Sequence, residues 1–82
     1  MTAYTYNQWI EIREERINWV YQNEHYLSIP KISLYHRPME EAVRTRLSDK
    51  FGFQIDISQF EIYELYDRGL DIEIVATPWH CH

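Results

Sequence analysis

Glycine, proline and cysteine are all scarce in this 82-residue chain: two, three and one respectively. So few breakers leave little room for long flexible loops, and disorder is not expected over most of the chain. Cys81 has no second cysteine to pair with, so the sequence does not read as a disulfide-stapled secreted scaffold. No apolar run approaches the ~18 residues of a membrane span. The N-terminal stretch also lacks a signal-peptide pattern. A cytoplasmic location without membrane contact is the expectation.

Catalytic signatures are missing as well. There is no glycine-rich phosphate loop, HExxH, GxSxG or paired CxxC, and Gly52 and Gly69 stand alone. Neighbouring acids such as Glu14–Glu15 and Glu40–Glu41 diverge by about 100° on a helix, so neither pair can flank one substrate. The reading is a non-enzyme without a cofactor. The run DKFGFQIDISQF is similar in outline to the helix–loop–helix passage of acyl carrier domains. It lacks the Asp-Ser-Leu context that would carry a phosphopantetheine arm.

What is present is aromatic surface and unevenly placed acid. Aromatics make up 16% of the chain, with seven Tyr, three Trp and three Phe. Large rings let a short chain fill a core. The net charge is −5, and it is asymmetric. Residues 1–50 balance seven acids (Glu11, Glu14, Glu15, Glu24, Glu40, Glu41, Asp49) against seven bases (Arg13, Arg16, Lys31, Arg37, Arg44, Arg46, Lys50). Residues 51–82 set Asp56, Glu61, Glu64, Asp67, Asp71 and Glu73 against Arg68 alone. A C-terminal part so poor in Lys and Arg is unsuited to gripping phosphates.

Local patterns predict an α+β domain spanning 1–82, with two or three helices on a small sheet. Thr5 and Gln8 have capping-box spacing and Tyr4 and Trp9 staple spacing, which predicts a helix over 7–22. Arg13 and Arg16 project from its apolar side, where they could hold an anion or snorkel to water. The KISLYH run predicts a strand near 31–36. Pro38 suits the first turn of a second helix with Met39, Ala42, Val43 and Leu47 inward and Gly52 as its stop.

Residues 59–68 admit two readings. Ser58 and Glu61 make a second capping box for a helix. QFEIYELY and LDIEIVA also read as hairpin arms turning near Arg68-Gly69. A two-residue turn there sets Glu64 against Glu73, a like-charge pair that tips the reading toward the helix. Leu70, Ile72, Ile74 and Ala76 predict a strand near 70–76, and 77–82 reads as an irregular tail.

Three surfaces carry candidate chemistry. Glu61, Glu64, Asp67, Asp71 and Glu73 with Tyr63 and Tyr66 suit a basic protein surface, since opposite charge steers the encounter and aromatics hold it. Small inhibitors of nucleic-acid enzymes, including those phages use against host defence, follow this physical logic. Arg37, Arg44, Arg46 and Lys50 offer an alternative basic stripe for nucleic acid, interrupted by Glu40, Glu41 and Asp49. His80, Cys81 and His82 are weak metal candidates, because three consecutive residues do not converge on one tetrahedral ion. Self-association into a homo-oligomer, metal-bridged or not, or a role as a structural subunit, fits the same composition.

Overall fold

A computed structural model describes residues 3–79. Within them the chain runs α1 (Tyr6–Gln22), β1 (His25–Pro30), α2 (Met39–Phe51), β2 (Phe60–Asp67) and β3 (Asp71–Pro78). Short 3₁₀ turns lie at Lys31–Leu34 and Ile57–Gln59. The architecture is α+β: two helices and one antiparallel sheet with strand order β1-β3-β2.

Thr5 starts α1 as its spacing requires. Its hydroxyl accepts from the Gln8 N–H at 3.2 Å, and the Gln8 side-chain oxygen accepts from the Thr5 N–H at 2.8 Å. The Tyr4 and Trp9 rings meet edge-on at 5.3 Å, closing the staple. At the other end the Asn23 amide donates to the Trp19 carbonyl at 2.8 Å.

The expected strand at 31–36 is displaced to His25–Pro30. There His25, Leu27 and Ile29 are buried while Tyr26 and Ser28 are exposed, the alternation of a half-covered strand. Pro30 has no N–H to continue a ladder. Lys31 donates instead to the Leu70 carbonyl at 2.8 Å, and the Ser33 hydroxyl caps the Pro30 carbonyl at 2.7 Å. These bonds bend KISL into a 3₁₀ turn.

Helix α2 forms where the pattern placed it, with Ala42, Val43 and Leu47 buried. Pro38 sits one position earlier than expected, at the N-cap, and its carbonyl accepts from Glu41 and Ala42. Gly52 ends the helix at φ 78°, a left-handed conformation that a side chain would resist.

The helical reading of 59–68 is overturned: Phe60–Asp67 is the second arm of a hairpin. Ser58 cannot cap a helix, because its N–H and hydroxyl are both bound by the Asp56 carboxylate, at 3.1 and 2.6 Å. The turn is Gly69-Leu70 rather than Arg68-Gly69. The Arg68 N–H donates to the Asp71 carbonyl at 2.8 Å, and Gly69 takes φ 92°. Leu70, expected in the strand, is exposed at the tip.

A bulge at Leu65 then resets the register, so Glu64 opposes Ile74 and Tyr66 opposes Glu73. The Glu64–Glu73 clash does not arise. Strand β3 also takes in Thr77 and Pro78, which the sequence assigned to the tail. His80, Cys81 and His82 lie outside the described residues.

One face of the sheet presents Leu27, Ile29, Ile74 and Ala76 to Val43 and Leu47 of α2 and Val20 of α1. Helix α1 joins this core only near its C-terminal end. Val20 is its sole buried residue, and none of residues 6–16 is buried.

Candidate functional site

Strand alternation decides which polar residues share the sheet face turned away from the core. Two cross-strand rows build it. Tyr26 and Tyr63 flank Val75, and Ser28 and Tyr66 flank Glu73. Val75 is only 7% exposed yet stands outside the core cluster, because the neighbouring tyrosines shelter it. Tyr26 itself is 67% exposed. A shallow depression of about 300 Å³ runs between Tyr26, Ser28, Leu65 and Glu73.

The tyrosines are held by carboxylates. The Tyr26 hydroxyl donates to Glu24 at 3.0 Å. The Tyr63 hydroxyl donates to Glu61. Each hydrogen bond, together with the negative charge that accepts it, holds its phenol above the ordinary tyrosine pKa. Near the hairpin end the Arg68 guanidinium lies 5.0 Å over the Tyr66 ring and pairs with Glu73 at 3.0 Å. Glu24, Glu61, Asp71 and Glu73 thus face outward with one guanidinium among them.

The structure brings Glu61, Tyr63, Tyr66, Asp71 and Glu73 to this side and separates two expected members. Glu64 opposes Ile74, whose side chain lies in the core, so it sits over the other face. Asp67 opposes Ile72 and is bound by Lys31 at 2.7 Å. Lys31 and the Gly69 N–H hold the Asp67 carboxyl below the usual carboxylate range. Tyr26, Glu24 and Leu65 belong to the face and were not singled out from sequence. The buried-exposed alternation from His25 to Ile29 was the available signal.

Of the expected basic stripe, Arg37 and Arg46 line one depression and Arg46 and Lys50 line the next, with Asp49 in both, while Arg44 lines neither. Arg44 instead meets Glu41 at 3.9 Å. Lys50 lies 5.3 Å from the centre of the Phe51 ring.

A larger cleft, about 410 Å³, opens between α1 and the end of α2. Tyr6, Trp9, Ile10, Ile12, Arg13 and Arg16 form one wall, and Phe51 to Phe53 form the other. Arg13 and Arg16 make no ion pair among the described residues.

Among the described residues no group of three or more His, Cys, Asp or Glu is placed to hold a metal ion. No helix there is long and apolar enough to cross a membrane. No protein-family model, curated protein or solved structure matches the chain.

Proposed function

We propose that the protein is a protein-binding module, acting as an inhibitor or adaptor, that docks its open sheet face on a basic partner. The observation carrying this reading is the pair of rows Tyr26–Val75–Tyr63 and Ser28–Glu73–Tyr66 on a face that no helix among the described residues covers, with all three tyrosines exposed. Tyrosines are strong interface anchors, since each offers a broad apolar ring at low entropic cost. Here two of the three hydroxyls are already tethered to carboxylates, which limits the ordering needed on binding. The surrounding acids would steer a cationic surface toward the rings and reject an anionic one. A protein whose own ligand is polyanionic, such as a nucleic-acid-handling or host-defence enzyme, presents that kind of surface.

The test is affinity capture from the native host on immobilised wild type and on a variant carrying Glu61→Gln, Glu73→Gln, Tyr63→Ala and Tyr66→Ala. The reading expects a basic protein retained by wild type, released by moderate salt and lost from the variant. Equal retention by both columns would remove the sheet face as the docking surface.

A further inference from the structure

The first three turns of α1 expose Tyr6 (79%), Trp9 (56%) and Ile10, although they lie on the side of the helix that leads into the core at Val20. Tyr6, Trp9, Arg13 and Arg16 are spaced three, four and three residues apart. That is the seam spacing of a helix that packs along a second helix. Among the described residues no element supplies the second helix. The seam instead forms one wall of the 410 Å³ cleft.

The identities along the seam say what fits there. In an antiparallel pair of identical helices crossing at residue 11, seam positions equally far on either side of the crossing meet. Trp9 then meets Arg13 and Tyr6 meets Arg16, while on the two flanks of the seam, where a two-fold sets like against like, Ile10 meets Ile10 and Ile12 meets Ile12. These matches use all six α1 residues of the cleft wall. Each guanidinium without an internal carboxylate among the described residues falls opposite an aromatic ring, and the isoleucines cover the two flanks of the seam. Glu11, Glu14 and Glu15 lie around the far side of the helix, so no carboxylate enters the seam. A two-fold axis makes every contact twice, as a self-complementary interface requires.

We propose that the protein is a homodimer in which two α1 helices pack antiparallel about residue 11, with Arg13 and Arg16 of each copy against Trp9 and Tyr6 of the other. Phe51 and Phe53 border the second helix. The interface shares no residue with the open sheet face. The dimer therefore presents two such faces, and a partner with two sites would gain by avidity.

Sedimentation equilibrium of the full chain tests this. Wild type is expected at twice its chain mass of 10.1 kDa. Arg13→Glu with Arg16→Glu removes four cation–aromatic contacts and should raise the dimer dissociation constant at least about tenfold. Far-ultraviolet circular dichroism should show the helix retained. Glu14→Ala with Glu15→Ala, on the far side, should leave the dimer unchanged. A wild-type monomer at every concentration overturns the proposal, as does a dimer indifferent to the arginine reversals.

Pulsed electron resonance adds a geometric readout, with single spin labels at Glu11, Glu14 or Asn18 in a Cys81→Ser background. The axial separation between copies should grow by about 3 Å per residue away from position 11, twice the helical rise. A separation constant along the helix would mean parallel packing and would refute the arrangement. Unchanged partner capture by the arginine variant, applied per chain, would keep this result distinct from the function of the sheet face.

Discussion

The Nε2–H of His25 donates to the Val20 carbonyl at 2.7 Å, joining the last turn of α1 to the first residue of β1. His25 is 3% exposed, and its ring meets Trp19, Phe51 and Phe60 at 5.2 to 5.9 Å. A neutral imidazole suits such an apolar cage. Burial lowers its pKa below 6.5, Lys50 pushes the same way, and the Val20 carbonyl opposes them. The unfolded chain then binds the proton more readily than the folded one. The stabilising contribution is complete above pH 6.5 and is lost as the pH falls through the folded value. Urea midpoints should therefore drop between pH 7.5 and 5. His25→Gln keeps a donor without the titration, and its midpoint should stay flat across that range.

The sheet and α2 share Leu47, which is fully buried and surrounded by the core cluster. Leu47→Ala should cost about 2–5 kcal/mol, depending on how far the neighbours collapse into the space. Chemical denaturation with an unchanged slope would measure it. A loss well below 1 kcal/mol would mean that α2 is not docked as described.

Both glycines take positive φ, 78° at Gly52 and 92° at Gly69, and a Cβ on either would meet nothing within 4 Å. The cost of alanine is therefore backbone strain alone, roughly 1–2 kcal/mol at each position. Asparagine tolerates the left-handed region better and should recover part of it. Thermal melts of Gly69→Ala and Gly69→Asn would show the ordering. Identical melts would contradict the turn.

Asp67 links the hairpin to the 3₁₀ turn after β1, through Lys31 and through the Gly69 N–H at 2.9 Å. Because these partners depress its pKa from 3.8, its contribution is present above that value and fades as the pH falls through the folded value. Asp67→Asn should leave the fold nearly unchanged at neutral pH, since the pair is half exposed. It should also flatten the acid limb of the stability profile below pH 4. An acid limb identical to wild type would show that the pair contributes nothing.

Signals confined to a few neighbouring residues were legible in the sequence. Thr5 with Gln8, the inner face of α2 and Gly52 all act within one or two helical turns, so the sequence displays them whole. The hairpin arm at Phe60–Asp67 was harder because its local cues conflict. Ser58 with Glu61 imitates a helix start, and only the Asp56 carboxylate, by occupying Ser58, removes it. Strand β1 was misplaced because its support is long-range: His25–Pro30 pairs with residues 71–76, far along the chain. That shift hid Tyr26, and with it half of the tyrosine row on the sheet face. The division of the C-terminal acids could not be read at all, since it depends on the bulge at Leu65.

That bulge also bears on how the chain behaves in a crowd. Strand β2 is an outer strand of the sheet, and among the described residues no strand pairs with its far side. An unbroken rim of this kind invites other chains to add on as further strands. At Leu65 the rim kinks, and Glu61, Glu64 and Asp67 repeat negative charge along it. Chains that meet rim to rim would set these charges against each other across misaligned hydrogen bonds. The irregularity that sorts the acids between two faces therefore also discourages fibrous stacking.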